Sequence, residues 1–193
     1  MKMVMPKEDY VKLGYWKNKN IYTYLKEAVD RFPEKEAVVD PFHRYTYRQL
    51  DTMVKKLAGA FLQSGVNKGD VVSFQLPNWA EAVVIHQALA MIGAISNPII
   101  PIYRQKEVKY ILTQSNTKVL IIPYYFRGFN YIEMIRSLKK DLPGLNKILV
   151  IDKYEQKCQL VPGEEDYYAF LESGPMNENI EFVNESDPAL LLY

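Results

Sequence analysis

The apolar positions of this chain fall into short blocks that alternate between helical and strand periods. Ile21, Tyr24, Leu25, Ala28, Val29 and Phe32 recur at helical spacing. They predict a helix over 20–32, capped by Asn20 and stopped by Pro33. A short strand follows at Ala37-Val38-Val39. Thr46 and Gln49 have the spacing of a capping box, and Leu50, Met53, Val54, Leu57, Phe61 and Leu62 form the buried stripe of the helix it opens, with Gly65 as its end. Val71 to Leu76 reads as a buried strand. Asn78 and Glu81 repeat the capping spacing before an apolar helix from Trp79 to Gly93, apolar on nearly every face and so expected inside the core. The pattern continues with a strand over 95–100, a helix over 105–115, a strand over 119–122, a helix over 131–140 capped by Asn130 with Glu133, and a strand over 147–151.

Strands alternating with helices are the signature of parallel strands joined by helical crossovers. The expected fold is therefore α/β, an open, mainly parallel sheet with helices on both faces. Residues 1–152 read as the sheet domain. Residues 153–186 are polar, carry Pro162-Gly163 and Gly174-Pro175, and read as a surface connection with one helical piece over 166–171. Residues 187–193 end on Ala189-Leu190-Leu191-Leu192-Tyr193, an apolar run that reads as a buried strand with nothing after it, as in a cut chain.

Composition narrows the class. The chain has 193 residues, 48% apolar and 24% charged, which suits a packed globular domain rather than a disordered one. A net charge of +1 gives no electrostatic reason to expect a nucleic-acid partner. The pairs Lys55-Lys56 and Lys139-Lys140 read as solvated helix exteriors. Cys158 is the only cysteine and has no metal-ligand spacing around it. Met1 to Lys12 lacks the apolar run of a signal peptide. The longest apolar stretch, Trp79 to Ile95, is broken by Glu81, His86 and Gln87, short of the about 18 clean residues of a membrane span. A cytoplasmic protein is the expectation.

Familiar catalytic patterns are missing. The sequence has no Gly-x-Gly-x-x-Gly, no Walker loop and no Gly-x-Ser-x-Gly elbow. His86, in the most apolar helix, is expected to be a hydrogen-bonded core histidine, and His43, in a polar turn, to be solvated. No catalytic residue and no metal ligand is assigned from the residues alone.

Four ordered segments carry a family resemblance. Arg44-Tyr45-Thr46-Tyr47-Arg48-Gln49-Leu50 resembles the "T-Y-x-E-L" opening of adenylate-forming enzymes. Gly65 to Val72 followed by Leu76-Pro77-Asn78 resembles their "G-V-x-x-G-D-x-V … L-P-N" segment. Ala90 to Pro98 is similar to their second core motif, and Asp187 to Tyr193 to the run-up to the third, a loop that wraps the ATP phosphates. Asn97 to Arg104 and Phe126 to Tyr131 further resemble the branch of cyclohexanecarboxylate-type and short- to medium-chain acyl-CoA ligases.

The resemblance implies the amino-terminal subdomain of an acyl-CoA synthetase, truncated before its phosphate loop. It implies an acid–thiol ligase acting in fatty acid metabolism: carboxylate, ATP and CoA give acyl-CoA, AMP and pyrophosphate, with Mg2+ required. The small-molecule carboxylic acid, ATP and CoA would be the partners of the intact enzyme. The residues that stabilise the transferring phosphorus belong to later family motifs, so this portion is expected to be inactive alone, to bind no cofactor tightly, and to self-associate through the surface its continuation would cover. In relatives the CoA nucleotide lies against loops matching Pro101-Ile102-Tyr103-Arg104 and Phe126-Arg127-Gly128, which makes Arg127, Tyr103 and Arg104 the cofactor-binding candidates. A carrier-loading or amino-acid-activating adenylate-forming enzyme, or a non-catalytic binding module on the same fold, is the alternative reading.

Overall fold

The computed structural model describes residues 6–17, 19–154, 156, 158–181, 183 and 187–193. Residues 1–5 of the stretch tested as a signal peptide, and several positions of the polar connection, lie outside them. The elements in chain order are α1 (Lys7–Lys12), α2 (Ile21–Arg31), β1 (Glu36–Val39), β2 (Arg44–Thr46), α3 (Tyr47–Gln63), β3 (Val71–Phe74), α4 (Ala80–Met91), β4 (Ile95–Pro98) and α5 (Gln105–Gln114). There follow β5 (Val119–Pro123), β6 (Tyr125–Phe126), β7 (Phe129–Asn130), α6 (Tyr131–Leu138), β8 (Lys147–Ile151), β9 (Glu164–Asp166) and α7 (Tyr167–Ser173).

Five parallel strands in the order β4-β3-β5-β8-β9 form the sheet, with Val72 beside both Ser96 and Val119, and Leu120 beside Ile148. Alternate residues of one strand serve opposite faces. Val119 and Ile121 join Val54, Leu57, Phe61, Ile85 and Leu89 in a core with α2, α3, α4 and α7. Leu120 and Ile122 join Val108, Ile111, Ile132 and Ile135 in a second core under α5 and α6. Both faces of β5 are buried, so its sequence shows a continuous apolar run instead of alternation. The expected open α/β sheet with helices on both faces is the observed one. No helix among the described residues is long and apolar enough to cross a membrane.

Local signals translate directly. Thr46 Oγ1 accepts from the Gln49 amide at 3.3 Å while Gln49 Oε1 accepts from the Thr46 amide at 2.9 Å, the reciprocal capping box. Gly65 ends α3 at φ +85°. Asn130 Oδ1 accepts from the Glu133 amide at 3.2 Å.

Four expectations change. On α2 the inward face is turned: Tyr24 and Phe32 are exposed, while Tyr22 is buried and donates its hydroxyl to Asp51 on α3. An apolar-spacing count cannot anticipate a phenol that goes inward because an acceptor awaits it. Lys55 is not a solvated exterior: its ammonium lies 3.3 Å from Asp51 and 2.7 Å from Glu178, and its side chain is 13% exposed. The polar segment after β8 supplies β9, whose acids are neutralised by Arg136 (2.7 and 2.8 Å to Glu164) and Lys147 (2.6 Å to Glu165). The same segment packs so closely on α3 that a Cβ on Gly59 would lie 1.9 Å from the Pro175 carbonyl oxygen. Finally, the apolar run at 189–193 forms one parallel bridge, Leu190 to Ser96, and leaves Leu192 71% exposed.

Candidate functional site

Strand order locates a crevice. The chain leaves β3 through α4 to β4 on one side, then returns through α5 to β5 on the other. In open parallel sheets such a reversal opens a gap at the carboxyl ends of the strands, where connecting segments diverge to opposite faces. Here the segments after β3, β4 and β5 line a cleft of about 300 Å³: Pro77 and Asn78, then Pro101, Ile102 and Arg104, then Phe126, Arg127 and Tyr131 at the start of α6.

Two of the three candidates from sequence meet in this cleft. Arg104 is held in place: Nη1 donates to the carbonyls of Pro101 at 2.8 Å and Tyr103 at 2.9 Å, and the guanidinium lies 4.0 Å from the Phe129 ring centroid. The Tyr131 hydroxyl donates to the same Pro101 carbonyl at 2.8 Å. Arg127 is exposed at the tip of the β6–β7 hairpin. It and Gly128 are the two central residues of the turn, at φ +48° and +79°. This turn favours Asn-Gly or Gly-Gly, because in the left-handed region Cβ crowds the following carbonyl oxygen, a contact that Gly lacks and that Asn offsets by local hydrogen bonding. An arginine there is costly for the fold. Tyr103 does not line the cleft; its ring is half-buried against the core of α5 and α6, and its carbonyl anchors Arg104 and the Gln75 amide.

A second charged group lies on the α4 side and was missed by sequence reading. Asn78 does not cap α4. Asp40 does, from the turn between β1 and β2: its Oδ2 accepts from the Ala80 amide at 2.7 Å. Burial alone would raise the pKa of Asp40, but the amides of Ala80, Phe42 and His43 hold it below the ordinary aspartate value. Glu81 is fully buried, and its Oε1 accepts from Lys153 Nζ and from the Tyr168 hydroxyl, the latter at 2.7 Å. Lys153 lies 4.9 Å from the ring centroid of Phe42, 5.4 Å from Tyr168 and 5.6 Å from Trp79. His43 is not simply solvated: its Nδ1 is 3.2 Å from Lys153 Nζ and its ring stacks on Tyr45 at 5.0 Å. Burial, then Glu81, pushes the Tyr168 phenol up.

Asp40, His43 and Glu81 bring one ligand atom each within 4.8 Å of one another, a donor set that could gather a metal ion. The Lys153 ammonium touches two of the three, so the cluster already holds a cation of its own. The sequence offered no signal for this group, because its members are spread from 40 to 168 and only Glu81 lies in a motif, where it looked like a cap. His86 is as expected, with Nδ1 2.9 Å from Ser96 Oγ and its pKa lowered by burial.

Comparison with known proteins places this geometry. The AMP-binding enzyme family matches residues 25–193. The chain is 34% identical over 145 residues to the medium-chain fatty-acid–CoA ligase of Escherichia coli K12, covering 75% of this chain and 26% of that protein. It is 30% identical over 149 residues to the 2,3-dihydroxybenzoate-AMP ligase of Bacillus subtilis, 77% of this chain and 28% of that one. The crystal structure of the anthranilate CoA ligase AuaEII in complex with anthranoyl-AMP superposes with a TM-score of 0.82 over 92% of this chain and 33% of that one, at 22% identity, which shows a shared fold. The chain thus spans between a quarter and a third of the length of these relatives. With the motifs in family order, the parallel sheet and the family match over most of its length, this chain belongs to the AMP-binding enzymes, the adenylate-forming ligases.

Proposed function

We propose that this chain is the amino-terminal part of an ATP-dependent acid–thiol ligase that converts a carboxylic acid, ATP and CoA to acyl-CoA, AMP and pyrophosphate, and that its cleft takes the nucleotide end of CoA. The observation that carries the reading is Arg127: a long cationic side chain kept at a left-handed turn position, beside an anchored second guanidinium, at a switch-point crevice. Strain retained at an exposed charged position is a reason to look for a ligand. Guanidinium groups suit phosphates because their planar forks give paired, charge-assisted hydrogen bonds.

In this reading Arg127 meets the phosphates of CoA as a mobile fork. Arg104 does so from a fixed orientation, set by the Pro101 and Tyr103 carbonyls, so less freedom is lost on binding. Ile102 and Phe126 offer apolar surface for the adenine. ATP with Mg2+ supplies the activation of the carboxylate in the whole enzyme. The Asp40–His43–Glu81 set does not suit Mg2+, which prefers oxygen-only octahedra, and no step is assigned to it. The chain alone is expected to be catalytically silent, since the phosphate-stabilising groups implied by the resemblance lie in later motifs.

Two measurements test this. In the complete enzyme, Arg127→Ala is expected to raise the dissociation constant for CoA about tenfold, the worth of one charge-assisted contact; an unchanged value removes the cleft assignment. The pure 193-residue chain is expected to show no ATP–pyrophosphate exchange, and robust exchange overturns its silence. The second reading is an adenylate-forming enzyme whose acceptor is not CoA, such as one that loads a carrier protein; the 30% identity to a ligase named for its AMP product, the 2,3-dihydroxybenzoate-AMP ligase, favours it. Saturable dependence of turnover on free CoA separates the two.

A further inference from the structure

The lysine-centred group is joined to the cleft by two contacts. Trp79, one wall of the aromatic cage around the Lys153 ammonium, meets Phe126 edge to face at 5.8 Å, and Phe126 lines the cleft. Asp40, next to the cage, fixes the amide of Ala80, two residues after Asn78 of the cleft wall. Lys153 itself stands two residues past the end of β8, and its side chain is 4% exposed. A single ammonium therefore ties the carboxyl end of β8, the first turn of α4 and the Phe42 turn to one side of the crevice. A desolvated ammonium is held both by its carboxylate and by the ring faces around it, which fixes its place far more tightly than a surface pair would.

We infer that Lys153 is a positioning residue for the cleft: its caged ammonium, paired with Glu81, sets the Trp79–Phe126 wall and the start of α4, and with them the placement of Asn78 and Arg127 around a bound CoA phosphate. The inference rests on the reading of the cleft as the CoA site. The titratable groups around the ammonium come from three elements: Glu81 on α4, Asp40 and His43 on the β1–β2 turn, and the neutral Tyr168 hydroxyl on α7. None of these groups lines the cleft, so Lys153 acts only through the wall.

The test separates positioning from mere stability. Lys153→Met strands a buried carboxylate, and Lys153→Met combined with Glu81→Gln removes both charges and restores a neutral, similarly packed interior. Both variants of the complete enzyme are compared with the wild type by hydrogen exchange and by titration with CoA. The double variant is expected to exchange faster at residues 77–80 and 124–130 than the wild type, while β5 keeps its protection, and to bind CoA about tenfold more weakly, as displaced walls do. Wild-type exchange at both segments together with wild-type CoA affinity overturns the inference, and so does a loss of protection that is uniform across β5 and the walls. If Arg127→Ala leaves CoA affinity unchanged, the cleft reading fails, and the exchange pattern alone still decides whether Lys153 orders the wall.

Discussion

At the carboxyl edge of the sheet two cationic groups lie side by side and are built in opposite ways. The arginine cleft is assembled from residues 77–131, opens to solvent and leaves the Arg127 guanidinium with no carboxylate within ion-pair distance among the described residues. The Lys153 group is assembled from residues 40–168, is closed, and neutralises its cation with Glu81 inside the protein. An exposed cation keeps its hydration and its capacity for an external anion. A buried cation has given up hydration and must take its partner from the chain. The same charge thus marks a binding surface in one case and an internal tie in the other, and burial is what separates them.

The sharpest way to break this comparison is to unpair the closed group. Lys153→Met is expected to cost about 3–5 kcal/mol of unfolding free energy in denaturant titration, with most of it recovered on adding Glu81→Gln. Arg127→Ala, by contrast, should leave unfolding unchanged. Equal costs at the two sites would end the distinction.

A smaller effect is expected at Asp40. Asp40→Ala removes the cap of α4 and should cost about 1 kcal/mol at neutral pH. The folded pKa of Asp40 lies below its ordinary 3.8. Its contribution is therefore present above about pH 4 and lost as pH falls through the folded value, so the variant's acid unfolding profile should be flatter than the wild type's in that window. Parallel profiles would contradict this.

The smallest change sharpens the contrast from the other side. Arg127→Asn places the preferred Asn-Gly pair in the β6–β7 turn. Thermal unfolding should show a gain on the order of 0.5–1 kcal/mol, with weaker CoA binding. A loss of stability would mean that the turn does not strain the arginine.

Much of the fold was legible because it depends on neighbours in sequence. The Thr46–Gln49 box, the Asn20 and Asn130 caps and the Gly65 stop each involve residues within a few positions, and each is found. The two-residue strands β6 and β7 were not read, since an apolar period cannot show in so short a pair. Nor was β9, whose three residues are acidic and sit in a ladder because Arg136 and Lys147 neutralise them from elsewhere.

The site divides along the same line. The motif order and resemblance led to Arg104 and Arg127, since the loops after β4 and β5 are contiguous stretches with recognisable residues. That these loops face one another across a crevice follows only from the strand order, which sends α4 and α5 to opposite faces of the sheet. By itself the sequence determined the kinds and order of the longer helices and strands, the family and the cationic loops, because hydrophobic period, capping and motif are local properties. Only the tertiary structure decided that Asp40 rather than Asn78 caps α4, that Tyr22 rather than Tyr24 points inward, and that Glu81 pairs with Lys153. Each of those choices is a buried polar group finding its partner through space, and no spacing along the chain encodes where that partner will be.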